Sequence, residues 1–126
     1  MSLWNIIFLF ALFTFLVVFP VVFPRRAQAE ELQLPSLKVL STPSCPACAQ
    51  MYRVVDEING KYAGKLSTEK IDLYERRDIA EKYKVRYVPH LLFMDASGNV
   101  LKEGIGYMPL DEVLKNFKEV GIDIES

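Results

Sequence analysis

No charged residue occurs between Met1 and Pro24. That feature divides the chain, because so small a protein has nothing else with which to cover an apolar surface of this length on all sides. Leu3 to Pro24 is rich in Phe, Leu, Val and Ile, with Asn5 and Thr14 as its polar interruptions. As a helix, its 22 residues reach about 33 Å at ~1.5 Å each, enough to cross a hydrocarbon core of about 30 Å. Pro20 and Pro24 would kink or end that helix near its far side. Ala27-Gln28-Ala29 follows, ahead of Glu30-Glu31. Small residues one position apart are a signal-peptidase pattern. Against export, no basic residue precedes the apolar run, and Arg25-Arg26 follow it. The positive-inside rule would hold that end in the cytoplasm. The expectation is export: residues 1–29 a signal peptide or transmembrane anchor, 30–36 a tether containing Pro35, and 37–126 the folded domain. That domain would then lie in the periplasm or on the outer face of the membrane, anchored or released after cleavage near Ala29. A cytoplasm-facing anchor is the alternative.

Composition bounds the remainder. The 15 Lys and Arg against 16 Asp and Glu leave a net charge of −1, which is no footprint for nucleic acid. Every acid lies at Glu30 or later, so the 97 residues from there carry 13 bases against 16 acids once Arg25 and Arg26 are set aside. This is one mildly acidic domain. Two cysteines are too few for a disulfide-dense scaffold, and with a single histidine they fall short of a four-ligand structural zinc site.

The apolar spacing predicts the elements. Leu37 to Leu40 reads as a short buried strand that ends in the turn-prone Ser41-Thr42-Pro43-Ser44. Cys45 and Pro46 open a helix, with proline where its missing N–H costs nothing. Met51, Val55, Ile58 and Tyr62 form one face of that helix. Arg53/Glu57 and Glu57/Lys61 are spaced for charge pairs on the other, and Gly64 lies just past the end. Leu66 to Leu73 reads as a second strand, Asp78 to Lys84 as a short helix, and His90 to Met94 as a third strand. Asp95 to Asn99 is a hairpin turn, and Val100 to Gly106 is the returning strand. Leu110, Val113, Leu114, Phe117 and Val120 mark a closing helix. The order β-α-β-α-β-β-α implies a parallel crossover followed by an antiparallel hairpin, hence a mixed sheet with helices on both faces.

Cys45-Pro46-Ala47-Cys48 is the sharpest chemical signal. A helix N-terminus has unpaired N–H groups and partial positive charge, which stabilise a thiolate at Cys45. The thiolate is the attacking species in thiol–disulfide exchange. Cys48, one turn inward, is placed to resolve the mixed disulfide. A structural bridge is the competing explanation, but closing so short a loop gains little stability.

These residues resemble the thioredoxin family over most of Leu37 to Gly121. The likeness rests on the Cys-Pro-Ala-Cys run at the helix start, on Val88-Pro89 at the place of the family's cis-proline, and on Gly106 at its glycine in the last strand. It implies an α/β fold with a central four-stranded mixed sheet flanked by helices. The first β-α segment of full thioredoxin is lacking, and an apolar helix precedes the domain. It also implies that Val88 and Pro89 hold extended substrate backbone beside the disulfide. Pro46 and Ala47 are candidates to tune the thiols; His90 reads first as a residue at a strand start, with tuning of Cys45 or help in binding a metal as the alternative. Three departures stand out. Ser44 replaces the tryptophan before the first cysteine, Val39 replaces the buried acid that assists deprotonation of the resolving cysteine, and Pro-Ala replaces Gly-Pro between the cysteines. They fit a small exported or anchored relative better than a general cytosolic thioredoxin. Such relatives take electrons from a membrane thiol carrier and reduce exported protein disulfides, apocytochrome c among them. No cofactor beyond the Cys45–Cys48 disulfide and no resident metal are expected.

Two other functions remain open on the sequence. Soft thiolates suit Cu(I), so Cys45, Cys48 and His90 could form a copper-delivery module. An oxidase or isomerase would keep the chemistry and reverse the electron flow. Lys70, Asp72 and Glu57 read first as solvated charges, each with assistance of proton transfer at Cys48 as the alternative. Tyr52, Tyr62, Tyr83, Tyr87 and Tyr107 read as structural.

Overall fold

The computed structural model describes residues 3–7 and 33–126. Residues 3–7 are helical. The remainder of the expected membrane span, the Ala27–Ala29 site and the first part of the tether lie outside the described residues. No helix among the described residues is long and apolar enough to cross a membrane.

Residues 33–126 build four strands and three helices: β1 (Ser36–Ser41), α1 (Pro46–Lys61), β2 (Ser67–Asp72), α2 (Arg77–Lys82), β3 (His90–Met94), β4 (Val100–Ile105) and α3 (Leu110–Glu119). The sheet order is β2-β1-β3-β4. β1 and β2 are parallel, so the chain must cross over between them, and α1 makes that crossover. β3 runs antiparallel to both β1 and β4, which makes the sheet mixed.

Burial follows from these positions. β3 is central and all five of its residues are buried, the apolar Leu91–Met94 as well as the polar His90 at its start. β2 is an edge strand whose exposed Glu69 and Lys70 discourage further pairing. Along β1, side chains alternate between two cores. Leu37 and Val39 join Met51, Val55 and Ile58 of α1 and Val113 and Phe117 of α3 on one face. Phe117 meets Phe93 edge-on, with ring centroids 5.0 Å apart. Leu40 joins Ile71, Leu73, Leu92 and Met94 on the other face, where Ile79 and Ala80 of α2 pack against them.

Element boundaries differ from expectation by one or two residues, for local reasons. Ser36 already pairs with Ser67 and Met94, so β1 takes a residue assigned to the tether. α2 stops at Lys82, two residues before its expected end; Tyr83 is its C-cap and Lys84 has a positive φ of 50°. β4 stops at Ile105 because Gly106 adopts a φ of 90°, a conformation glycine accepts without strain. The Asp95–Asn99 turn is as expected. Its Asp95 carboxylate accepts the Ser97 and Asn99 backbone N–H groups at 2.9 Å each. The Asn99 hydrogen bonds, led by its backbone N–H, hold the Asp95 carboxyl below the usual carboxylate range. On α1, Glu57 pairs with Lys61 at 2.6 Å. Arg53 is exposed and takes no part, so only one of the two expected helix pairs forms.

Candidate active site

The sheet register brings the sequence motifs to one end of the sheet. β1 ends at Ser41, four residues before Cys45, and Leu40 lies opposite His90 at the start of β3. Pro89 therefore enters the sheet at the edge from which the cysteine loop leaves. The Val88–Pro89 bond is cis, and Pro89 is fully buried. The Gly106 N–H donates to the Pro89 carbonyl at 2.8 Å, tying the loop after β4 to the proline. Val88 is half-buried, whereas Tyr87 and Tyr107 on the neighbouring loops are exposed.

Cys45 is the N-cap of α1, with extended backbone at φ −107° and ψ 108°, and Pro46 takes the first helical position. Cys45 and Cys48 form a disulfide, with Cα atoms 5.1 Å apart. The Cys48 backbone N–H lies 3.1 Å from the Cys45 sulfur. No acidic residue occupies the first turn. One N–H and an unopposed helix N-terminus thus face Cys45, the arrangement that favours a thiolate there. The two sulfurs differ in access. Cys45 is half-buried, with exposed Pro46 and half-buried Ala47 beside it, while Cys48 is 1% exposed.

His90 has a different set of neighbours from those a thiol-tuning group would have. Strand alternation places it with Leu92 and Met94, on the sheet face opposite α1. Its Nε2 lies 2.7 Å from a Glu103 carboxylate oxygen on β4, and its buried Nδ1 has no partner. Its polar partner is Glu103 rather than either sulfur. Among the described residues, no group of three or more His, Cys, Asp or Glu side chains is arranged to hold a metal ion.

Lys70 and Asp72 do not pair with each other. The Asp72 carboxylate accepts the Tyr74 N–H at 2.8 Å. The Lys70 ammonium lies 3.0 Å from Asp56 on α1 and 4.7 Å from the centre of the Tyr52 ring. The Tyr52 hydroxyl is hydrogen-bonded to the buried Ser41 hydroxyl, whose oxygen also lies 3.3 Å from the Ile71 carbonyl. Sequence reasoning had no role for Tyr52 or Ser41. The available signal was that Tyr52 falls four residues after Cys48, on the same helix face.

The thioredoxin-like domain model matches residues 25–121, more than half of the chain. The chain belongs to the thioredoxin-like domain family. It is 35% identical over 65 residues to thioredoxin C-2 of Corynebacterium nephridii, a match covering 52% of this chain and 59% of that protein. With the thioredoxin of Bacillus subtilis it shares 33% identity over 67 residues, 53% of this chain and 64% of that one. The chain spans about three fifths of the length of these curated relatives. Among solved structures, a chloroplastic thioredoxin z superposes with a TM-score of 0.64 at 15% identity, covering 70% of this chain and 79% of that one. Thioredoxin-2 of the malaria parasite gives 0.63 at 16% identity, covering 68% and 82%. The likeness to these two structures is one of fold.

Proposed function

We propose that the protein is a thiol–disulfide oxidoreductase that reduces disulfides of exported proteins, cytochrome c maturation being one such use. The observation that carries this reading is the asymmetry of the cysteine pair. Cys45 caps a helix whose first turn holds no acid, and it is reachable; Cys48 lies one turn inward and is buried. A thiolate at Cys45 attacks one sulfur of a substrate disulfide, forming a mixed disulfide and releasing the first substrate thiol. Cys48 then attacks Cys45, closing the internal disulfide and releasing the second. Two electrons pass from the cysteine pair to the substrate. Extended substrate backbone would run along Val88 and Pro89, with Tyr87 and Tyr107 as apolar contacts on either side. Membership of the thioredoxin-like family supports this cycle.

The charge-free run from Met1 to Pro24 supports a protein held at, or exported across, a membrane. A membrane thiol carrier is the electron donor that suits such a location. Replacing Cys48 with Ser removes the resolving thiol while leaving Cys45 intact. The variant should accumulate mixed disulfides through Cys45 in cells, separable as reductant-sensitive adducts. An absence of adducts would overturn the proposed cycle. Labelling Cys45 with a membrane-impermeant maleimide from either side tests the location.

A further inference from the structure

Four chain segments leave or enter the sheet at the end where the cysteine loop begins: β1, β2 and β4 finish there and β3 starts there. Their charges are unequal. Residues 41–52, which carry both cysteines, contain no charged side chain, and neither do residues 104–110. The segment leaving β2 carries Asp72, Glu75 and Asp78 against Arg76 and Arg77, with Arg76 held by Asp78 at 2.9 Å. In the sheet order it stands on the far side of β1 from Pro89. The approach to Pro89 is different. From Lys82 to Met94 there is no acid, and Lys82, Lys84 and Arg86 are all exposed. Among the described residues, the ion pairs of lysine and arginine engage Lys38, Lys61, Lys70, Arg76 and Lys102, and none of these three. Lys82 lies 5.2 Å from the centre of the Tyr83 ring, which leaves Lys84 and Arg86 as the unengaged cations. A domain with more acids than bases thus sets two unpaired cations on the run that leads to its cis-proline.

The local structure fixes that run. The Lys84 N–H donates to the Glu81 carbonyl at 3.2 Å and the Val85 N–H to the Ala80 carbonyl at 2.9 Å, the two bonds that close a helix C-terminus. Tyr83, Val85 and Val88 pack against the Leu40 core, so the polar residues between them stand in solvent. Lys84 has a φ of 50°, in the position where glycine is usual and a side chain is strained. A cation therefore sits where the backbone disfavours any side chain, an outlier that points to a use for its charge. Arg86 is three residues from Pro89 and Lys84 five. Even fully extended, those spans place the two Cα atoms within about 11 and 18 Å of the proline.

We propose that Lys84 and Arg86 are specificity residues that select protein disulfides flanked by acidic side chains. This deepens the oxidoreductase reading and rests on it. A substrate chain laid against Val88 and Pro89 continues past Arg86 and Lys84 on one side of its reacting cysteine. Asp or Glu there makes charge-assisted contacts. The planar Arg86 fork takes a carboxylate through two N–H groups, and Lys84 acts as a point charge. The uncharged cysteine and Gly106 loops place no acid beside these contacts. The same charges raise the encounter rate of an acidic substrate.

The test uses the full chain in reduced form and two peptides. Each peptide carries one intramolecular disulfide, flanked on both sides by three Glu in one and by three Lys in the other. Each rate is divided by the rate with dithiothreitol, which removes the intrinsic difference between the peptides. At low salt the acidic peptide should then react at least tenfold faster, the low end of electrostatic steering. The ratio should fall toward one at 1 M salt, where the screening length is about 3 Å. Arg86→Gln and Lys84→Gln should each lower the ratio, and the double variant should bring it close to one. Lys84→Gly separates charge from backbone: it relieves the positive φ, so it should keep the melting temperature while lowering the ratio as Lys84→Gln does. Equal normalised rates with the wild-type protein, or a ratio unaltered in the double variant, overturn the proposal and leave the oxidoreductase reading standing. Equal rates joined to wild-type binding of phosphatidylserine vesicles over phosphatidylcholine vesicles would overturn it in favour of a lipid surface. If neither peptide exchanges its disulfide, the oxidoreductase reading itself falls and takes this proposal with it.

Discussion

Placing a negative charge in the first turn of α1 should weaken Cys45 as a nucleophile without unfolding the protein. Pro46 is the position to use, because it is exposed and no acid stands in that turn. In Pro46→Asp the new carboxylate would sit about 6 Å from the Cys45 sulfur, as adjacent side chains do. At that separation two like charges repel by about 1 kcal/mol, taking an effective dielectric between the water value and that of a protein surface. The thiolate fraction below the titration midpoint, and with it the rate of attack, should fall about fivefold. The effect on folding has the opposite sign. A carboxylate at a helix N-terminus gains about 0.3–1 kcal/mol from the helix dipole, which offsets a loss of similar size from removing the proline. The assay is the pH dependence of Cys45 alkylation in a Cys48→Ser background, with Pro46→Lys as the mirror variant. Raising the salt from 0.01 to 1 M shortens the screening length from about 30 to about 3 Å and should largely abolish both effects. Equal reactivity of the Asp and Lys variants at low salt would refute the electrostatic account of Cys45.

Three further outcomes follow from other parts of the molecule. Phe117→Ala removes a fully buried ring that stacks edge-on against Phe93, and should cost about 3–5 kcal/mol in urea unfolding. Gly106→Ala forces a side chain into a φ of 90°. It should lose about 1–3 kcal/mol and lower disulfide exchange, because the Gly106 N–H holds the Pro89 carbonyl. Asp95 has its carboxyl held below the usual range by Asn99. Its contribution to the turn is therefore present above the ordinary carboxylate pKa of about 4 and is lost as the pH falls through the lower folded value. Asp95→Ala should speed amide exchange in the hairpin turn at neutral pH, and the difference from wild type should shrink in acid.

The elements legible in the sequence are those whose cause is local. Leu91–Met94 is an unbroken apolar run of four residues, and with His90 it forms the central strand. Pro46 after a cysteine marks the start of α1 because a proline lacks only an N–H that would be unpaired there. Leu110, Val113, Leu114 and Phe117 give α3 by their spacing. The order of strands is less accessible. β1 lies between β2 and β3 because a strand buried on both faces needs backbone hydrogen-bond partners along both of its edges. No short window of sequence contains that requirement. Side-chain partners across elements are equally hidden. His90 and Glu103 meet only through the β3–β4 register, thirteen residues apart. Lys70 turns from Asp72, two positions away, to Asp56 on another element, because the Tyr74 N–H takes the nearer carboxylate. Tyr52 looks like one of several scattered tyrosines until its hydroxyl is found on Ser41.

The central claim is that the Cys45–Cys48 bond is exchanged rather than merely structural. Its reduction potential, measured by equilibration with dithiol and glutathione buffers and quantified by thiol alkylation, tests this most directly. The account predicts reversible reduction of the native protein with a potential between about −270 mV, as in thioredoxin, and about −120 mV, with the reductant role placing it toward the lower end. A potential below about −300 mV, the range of structural disulfides, or a bond that opens only when the protein is unfolded, would contradict it.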